Sequence, residues 1–526
     1  MSGLFLLLLS SLAAEPVDTV VVCAPSFQPA MASWLEHRKT QGHKIQLVQN
    51  RQSAEEIRKA IRQAATGGKL KAILLVGDVP SARPEDAATQ TTTIPTHYIK
   101  AKINVHWGSE PEIANDNWYA DLDDDGVPDV AIGRLTADTP ADIKTMTTKI
   151  IDYETKGHGD WCRRVNFIAG VGGFGALADS VLEMSTKTFL TSGIPSPYAT
   201  TMTYGSWRSP YCPDPRQFHQ TSIDRFNEGC LFWVYIGHGQ KYYLDRVQVP
   251  GASYHIMDVR DVQSLRCKRG SPIAVFLACY TGAYDAPRDC LAELMLRQEG
   301  GPVAVLSGTR ITMPYAMAVM GEGLMTEYFK SKQLTLGDAI LATKRKMMTP
   351  DKNNENRRMM DAIAATISPV RDKLDLERKE HLSLFNLLGD PLLRLPHPAE
   401  VKLESEFNVA AGETIEIKGE SPLDGLMTIE LVVRRDRTRL RTPARPNYVA
   451  KAETLAGFMD TYKQANDPRW TTIQLQVKKG QFQCQLTIPK EARSLCHARA
   501  IIQSADGQLG LGACDIFVKR PKPASK

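Results

Sequence analysis

The sequence predicts an α/β protein with doubly wound, mostly parallel sheets in two subdomains, followed by a C-terminal β-sandwich. Almost wholly apolar strand segments alternate with helical patterns over residues 18–80 and again over residues 128–330. This alternation is typical of a parallel sheet that is covered on both faces. Beyond residue 398 the segments become short and alternate between apolar and polar residues, which favours antiparallel sheets.

The chain length and a proline-bounded stretch at 396–398 indicate how these regions are divided. At roughly 100–200 residues per domain, 526 residues suggest about three units. We assign residues 15–135 to an N-terminal α/β subdomain, residues 136–397 to a second α/β subdomain and residues 398–526 to the β-sandwich. The 64 basic and 59 acidic residues are interspersed, which argues against a nucleic-acid-binding protein.

The N-terminus carries an apolar run at residues 4–12, followed by small residues. This pattern predicts a signal peptide over residues 1–14 and therefore a protein that is exported, whether secreted, periplasmic or at the cell surface. A buried first strand is the alternative. The run is shorter than the roughly 20 residues that cross a bilayer, and we predict no transmembrane segment.

The first α/β region begins with three apolar strands, at residues 18–24, 44–48 and 72–76. Ser53 and Glu56 have the spacing of a capping box before a helix. In the second region a helix is predicted over 139–154, and the strands are predicted at 130–132, 165–169, 231–236, 273–278 and 303–306. These strands form either two sheets or one continuous sheet.

Helical patterns at 315–330 and 336–348 close the second region, and the charged stretch 351–381 is predicted to form a helix or a loop. The last region has the size and strand pattern of an immunoglobulin-like β-sandwich. Its predicted strands include 414–418, 427–433, 472–477 and 481–487.

Two of the predicted strands end in residues that can carry chemistry. The segment FWVYIGHGQ places His238 after one strand, and VFLACYTG places Cys279 after the next. Ligands of open α/β sheets bind outside the carboxyl ends of the strands, so the two side chains can share one crevice. The imidazole could favour the nucleophilic thiolate. The backbone N–H groups of Gly239 and Cys279 could then form an oxyanion hole.

An acidic turn, DLDDDGVPD, precedes the strand at 130–132. Alternate carboxylates around a glycine suit Ca²⁺, which takes six or more oxygen ligands. The turn lacks the twelfth-position Glu of an EF-hand, and a solvated acidic turn is the alternative. The predicted structural calcium ligands are Asp121, Asp123, Asp125 and Asp129.

A glycine-rich stretch follows the strand at 165–169. Residues 170–175 fit the dinucleotide fingerprint G-x-G-x-x-G, but the acid expected about 20 residues further on is missing. A glycine loop that lines a peptide cleft explains the stretch better. We therefore predict no organic cofactor, and a dinucleotide-binding enzyme remains a remote alternative.

The two strand-end motifs, G-H-G and A-C-x-x-G, resemble those of the gingipain family of secreted cysteine peptidases, which has a caspase-like fold. Segments similar to the family extend over roughly residues 18–396, in the same order, and they include NWYADLDDDGVPDVAIGRL, CLAE, GGPVAV and LGDPL. The resemblance implies an endopeptidase that acts on proteins or peptides through a thioester on Cys279, with His238 as general base and then acid. It places the catalytic residues in the subdomain 136–397.

The chain departs from the family where an acid assists the histidine, because Gly172 or Gly173 stands at that position. Asp245 is a candidate replacement. The resemblance makes Asp179 a candidate selector of basic substrate side chains, and the alternative is an acid in the first turn of a helix. Because the assisting acid is missing, a catalytically inactive binding or surface protein of the same fold is the main alternative function.

Overall fold

A single ten-stranded sheet forms the centre of the α/β region. The computed structural model describes residues 17–51, 53–80, 91–170, 193–349, 354–439, 445 and 447–519. Strands from both predicted subdomains belong to this sheet, which is therefore continuous. In chain order they are β1 (Thr19–Cys23), β2 (Ile45–Gln49), β3 (Ala72–Val76), β4 (Ala131–Leu135), β5 (Arg164–Ala169), β6 (Ala199–Tyr204), β7 (Phe232–Ile236), β8 (Ile273–Leu277), β9 (Ala304–Gly308) and β10 (Phe385–Leu388).

The strand order is β2-β1-β3-β4-β10-β9-β8-β7-β5-β6. Neighbouring strands are parallel except β9 and β10, which are antiparallel. The two halves of the sheet therefore run in opposite directions. As a result, the carboxyl ends of the strands from β5 to β9 lie along one edge, where ligands of such sheets bind.

The central strands are apolar because they are covered on both faces. Every residue of β7, β8 and β9 is buried, as the continuous apolar runs in the sequence predict. The helices of the α/β region are α1 (Ala32–Thr40), α2 (Ala54–Ala65), α3 (Pro140–Thr155), α4 (Phe218–Asn227), α5 (Leu291–Arg297), α6 (Pro314–Phe329), α7 (Leu336–Met348), α8 (Glu355–Ile367) and α9 (Leu374–Leu384).

Local sequence signals set several helix starts. The Ser53 hydroxyl accepts a hydrogen bond from the Glu56 N–H, as predicted for the start of α2. Thr139 and Asp142 form a complete capping box at the start of α3. Most of the charged stretch predicted as a helix or a loop is helical, because it contains α8 and most of α9.

The C-terminal region contains two sheets that share a separate apolar core, which confirms the predicted β-sandwich. A relation to immunoglobulin domains stays a prediction. Its strands are β11 (Ala399–Glu400), β12 (Lys402–Ser405), β13 (Asn408–Ala410), β14 (Thr414–Ser421), β15 (Gly425–Val433), β16 (Arg469–Val477), β17 (Gly480–Thr487), β18 (Ser494–Gln503) and β19 (Leu509–Lys519). One sheet contains β12, β14 and β17, and the other contains the remaining six strands.

Helix α10 (Ala452–Ala465) connects β15 to β16 and was not predicted from the sequence. Its residues Leu455 and Phe458 pack into the core of the α/β region. The Tyr462 hydroxyl lies 2.8 Å from the Thr203 hydroxyl in β6. The insertion therefore attaches the sandwich to the outer edge of the large sheet.

The predicted signal peptide, residues 1–14, lies outside the described residues. Among the residues that are described, no helix combines the length and the apolar character needed to cross a membrane.

Candidate active site

His238 and Cys279 follow neighbouring parallel strands at the same level. Ile236 at the end of β7 pairs with Leu277 at the end of β8, and each candidate residue lies two positions beyond this pair. Adjacent strands are about 4.8 Å apart, so the backbone brings both residues to one crevice. Both side chains are half-buried and line the same cavity, whose volume is about 550 Å³. The structure thus brings the predicted pair together.

The cavity is a cleft with mainly apolar and aromatic walls. Such walls, with a few polar groups placed among them, are typical of ligand sites. The apolar and aromatic lining residues are Trp107, Tyr243, Leu244, Tyr280, Ile311, Met313, Pro314, Tyr315, Ala364 and Pro369. Besides the candidate pair, the polar and charged lining residues include Gln240, Asp245, Arg246, Gln248, Thr312, Ser368 and Glu377.

Gly239 lies directly against the backbone of the candidate nucleophile. A Cβ atom at Gly239 would lie 2.6 Å from the Cys279 carbonyl oxygen and 3.0 Å from Cβ of Ala278. Real Cβ atoms do not come this close to a backbone oxygen, so only glycine fits without a shift of the Cys279 backbone. Gly239 and Cys279, the two residues whose amides are the predicted oxyanion donors, therefore lie side by side at the cleft.

Thr312, in the loop after β9, contacts the Cys279 sulfur. Its backbone N–H donates to Sγ at 3.4 Å, and its hydroxyl oxygen lies 3.6 Å from Sγ. Burial raises the pKa of the Cys279 thiol, and the hydrogen bonds from Thr312 lower it by a smaller amount. Burial therefore opposes the thiolate that the sequence suggested, and a thiolate favoured by the imidazole stays a prediction.

Tyr280, directly after Cys279, has a left-handed backbone with φ of 58°. This conformation costs a non-glycine residue about 1–3 kcal/mol and persists only where the surroundings hold it. The Tyr280 hydroxyl donates to Glu110 at 2.8 Å, and the Lys241 ammonium lies 3.1 Å from the same carboxylate. These contacts hold the sharp turn that follows the cysteine.

Asp245 lies beside His238 and lines the cleft. Its backbone N–H donates to the His238 carbonyl oxygen at 3.2 Å. Burial raises the pKa of the Asp245 carboxyl, and the charge of His238 lowers it by a smaller amount. A Cβ atom at Gly170 would lie 3.2 Å from Oδ2 of Asp245, so the residue after β5 also adjoins the site. Of the two candidate acids, Asp245 is therefore placed beside the histidine.

Several residues singled out in the sequence lie outside the described part of the chain. These are Asp179, Gly172 and Gly173, together with the rest of the glycine-rich stretch beyond Gly170. Sequence reasoning missed Thr312, Tyr280 and Glu110 as parts of the site. A signal for Thr312 existed in principle, because its loop follows β9, the strand adjacent to β8.

The acidic turn brings three of the four predicted metal ligands together. Carboxylate oxygens of Asp121, Asp123 and Asp129 all lie within 4.8 Å of one another, whereas Asp125 does not belong to this group. The buried Asp121 carboxylate accepts hydrogen bonds from the N–H groups of Asp124 and Gly126. A set of converging carboxylates suits a hard cation such as Ca²⁺.

The mixed sheet defines a caspase-like α/β protein. A histidine and a cysteine follow adjacent strands of this sheet, and these are the residues of a cysteine peptidase. The chain belongs to Peptidase family C25, whose model matches residues 12–396. This match confirms the resemblance to the gingipain-type cysteine peptidases. It covers both predicted α/β subdomains and stops before the β-sandwich.

Curated relatives from Porphyromonas gingivalis are similar over most of the chain. Gingipain R2 is 22% identical over 416 residues, which cover 76% of this chain and 49% of the relative. A gingipain R1 is 22% identical over 409 residues, which cover 74% of this chain and 36% of the relative. The chain therefore spans about half or less of the length of these relatives.

Solved structures show the same fold. The crystal structure of the Arg-specific cysteine proteinase gingipain R (RgpB) matches with a TM-score of 0.53 and 17% identity, covering 96% of this chain and 99% of the other. A structure described as a protease matches with a TM-score of 0.55 and 14% identity, covering 95% and 98%. At these identities the similarity concerns the fold alone.

Proposed function

We propose that the protein is an exported cysteine endopeptidase in which Cys279 is the nucleophile and His238 the general base and acid. The observation that carries the proposal is the pairing of Ile236 with Leu277, which places both residues at the same level of one cleft. Membership of a cysteine peptidase family supports it. The apolar run at residues 4–12 supports export.

The first half of the reaction forms a thioester. Burial favours the protonated form of the Cys279 thiol, and His238 accepts its proton as Sγ attacks the carbonyl carbon of the scissile bond. The N–H groups of Gly239 and Cys279 would then donate to the oxyanion. His238 returns the proton to the nitrogen of the leaving amine as the C–N bond breaks.

The second half releases the acid product. His238 accepts a proton from a water molecule, whose oxygen attacks the thioester carbon. The C–S bond breaks and the sulfur regains the proton from His238. Asp245, whose carboxyl interacts electrostatically with His238, would stabilise the charged imidazole in both halves. Asp179 remains a proposed selector of basic side chains on the family resemblance alone.

Cleavage of a fluorogenic peptide library, with reductant and calcium present, tests the proposal. The wild type should release product, and Cys279→Ala should reduce the rate to background. Cys484→Ala is the matched control, because Cys484 is a half-buried thiol in the sandwich. Folded wild type that cleaves no library member would refute the proposal and favour a peptidase-fold binding protein.

We further propose that Asp121, Asp123 and Asp129 bind a structural calcium ion. The ion would neutralise a turn that leads into β4. Calcium at 100 times its Kd should stabilise the fold by about 2.7 kcal/mol, seen as a higher Tm. Asp123→Asn should abolish this shift, whereas Asp152→Asn, an exposed acid on α3, should retain it. An unchanged wild-type Tm at millimolar calcium would contradict the proposal.

A further inference from the structure

Three side chains with metal-binding groups converge outside the cleft, at the base of a two-stranded hairpin formed by Arg246–Val249 and Ala252–His255. They are His255, Asp258 and Asp261, which follow one another at intervals of three residues. One ligand atom from each lies within 4.8 Å of the other two. Nε2 of His255 is 3.2 Å from Oδ2 of Asp261. Neither the proposed peptidase mechanism nor the proposed calcium site uses these groups.

A second imidazole reaches this cluster from a different element. His219, at the start of α4, stacks on His255 with ring centroids 4.5 Å apart and ring planes 28° apart. It is close enough to the carboxylates of Asp258 and Asp261 to interact with them electrostatically. All four residues are half-buried. Two imidazoles and two carboxylates thus meet at one position, which a run of acids in a single loop does not provide.

The types of ligand distinguish this cluster from the acidic turn at residues 121–129. Ca²⁺ and Mg²⁺ take oxygen ligands, whereas imidazole suits Zn²⁺ and its transition-metal neighbours. Zn²⁺ is commonly held by about four ligands drawn from Cys, His, Asp and Glu. Within the described residues three groups of ligand atoms converge closely enough to hold a metal, and the group of His255 is the one that contains a histidine. The cluster therefore suits zinc better than calcium.

Arg260 is a surface cation that occupies the Asp258 carboxylate. Its Nη2 is 2.6 Å from Oδ2 of Asp258, and its Nε is 3.2 Å from Oδ1. The Arg260 side chain is 84% exposed. Exposed ion pairs contribute little to stability, because water screens them and two long side chains must be ordered. A divalent ion that binds Asp258 would therefore displace Arg260 at a small cost.

The backbone connects the cluster to one wall of the cleft. His255 pairs with Arg246 across the hairpin. The next residue, Ile256, donates its N–H to the Asp245 carbonyl oxygen at 3.2 Å. Asp245 and Arg246 both line the cleft. An ion bound at His255 would thus restrain the segment that carries these two cleft residues.

We propose that His255, Asp258 and Asp261 bind one Zn²⁺ ion, with His219 as the fourth ligand, and that the ion fixes the hairpin against α4. The nitrogens of His219 do not belong to the converging group, so its ring would turn toward the ion on binding. The site is separate from the catalytic pair and from the acidic turn, and it does not depend on the proposed peptidase function.

Zinc titration of the Cys279→Ala variant tests the proposal, because this variant lacks the thiol of the cleft. The chelator-treated protein is titrated in millimolar calcium, and a chromophoric chelator reports the unbound zinc. One equivalent should bind. His255→Ala in the same background should weaken this binding on the order of 100-fold or more, because loss of even an outer-shell partner costs about 10–100-fold. His497→Ala, which removes a histidine paired with Asp515 in the sandwich, is the matched control and should bind zinc as the parent does.

Removing the competing cation provides a second test, which does not need a ligand variant to fold. Arg260→Gln in the Cys279→Ala background should bind zinc about two- to fivefold more tightly, because the ion no longer displaces an ion pair. Arg266→Gln is the matched control, since it removes the same charge from another exposed arginine nearby in the sequence. This control should leave the zinc affinity unchanged.

Hydrogen exchange locates the bound ion without reference to activity. With one equivalent of zinc, the amides of Arg246–Val249 and Ala252–His255 should exchange more slowly in the Cys279→Ala variant, because the ion opposes local opening of the hairpin. The same amides should show no zinc-dependent change when His255→Ala is added. Protection confined to the sandwich or to the acidic turn would place the ion elsewhere and overturn the proposal.

The remaining outcomes also decide the proposal. Loss of the zinc equivalent in His255→Ala and tighter binding in Arg260→Gln support it. Absence of a zinc equivalent, an equivalent retained by folded His255→Ala, or an affinity that is unchanged or weaker in Arg260→Gln would overturn it. Peptide cleavage is measured separately with the wild type, so the zinc site and the proposed peptidase activity can each fail alone.

Discussion

Replacing His238 with alanine is expected to lower kcat/KM for peptide hydrolysis by roughly 10⁴-fold or more. Because burial raises the pKa of the Cys279 thiol, removal of its proton depends on the imidazole. Alkylation of Cys279 by iodoacetamide should therefore shift to higher pH in His238→Ala than in the wild type. The measurements are steady-state hydrolysis of a library-selected peptide and the pH dependence of the alkylation rate.

The double variant His238→Ala/Cys279→Ala should be no less active than Cys279→Ala alone, because residues that act as a unit are not additive. His497→Ala is the control, since this histidine pairs with Asp515 in the sandwich. Asp245→Asn should reduce kcat by a smaller factor than His238→Ala. Retention of most activity in folded His238→Ala would contradict the proposed role of His238.

The central strands, and the two residues at their ends that can carry chemistry, could be predicted from the sequence. The strands that precede His238 and Cys279 were predicted to within one residue, because continuous apolar runs bounded by glycine are a strong local signal. The general rule that ligands bind at carboxyl ends of parallel strands then placed the two residues together. The exact pairing of Ile236 with Leu277 required the structure.

The elements that were missed depend on contacts distant in sequence. Strand β10 has four residues, begins directly after α9 and pairs antiparallel with β9, so it carries no alternation or turn signal. Thr312 and Glu110 reach the site from loops that follow or precede other strands. The left-handed conformation of Tyr280 is imposed by those neighbours, and its residue type gives no sign of it.

The pKa of the Cys279 thiol depends on more than the histidine motif. A cysteine near a histidine suggested a stabilised thiolate, but the same strand end that positions the sulfur also buries it. Burial raises the pKa of the thiol more than Thr312 lowers it. The balance between burial and these hydrogen bonds depends on how deeply the Cys279 sulfur lies in the cleft, which the sequence alone does not specify.

Substituting Gly239 with alanine is expected to lower kcat/KM by roughly 100-fold, although no chemical group is removed. The added Cβ would lie 2.6 Å from the Cys279 carbonyl oxygen and 2.9 Å from Cγ2 of Thr281. Relief of this overlap must move the Cys279 backbone, and a displacement of about 1 Å at a catalytic group costs on the order of 10²-fold. Steady-state kinetics and chemical denaturation of the same preparation measure the effect on activity and on the free energy of unfolding.

Gly457→Ala is the matched control for this substitution. Gly457 lies within α10, and a Cβ atom there would meet no heavy atom within 4 Å. Alanine in a helix interior is favoured over glycine by about 0.5–1 kcal/mol, so this variant should be slightly more stable and fully active. Both variants add the same methyl group, so a loss of activity in Gly239→Ala alone is attributed to displacement of Cys279. Wild-type activity in folded Gly239→Ala would show that the close contact between Gly239 and Cys279 is not required for catalysis.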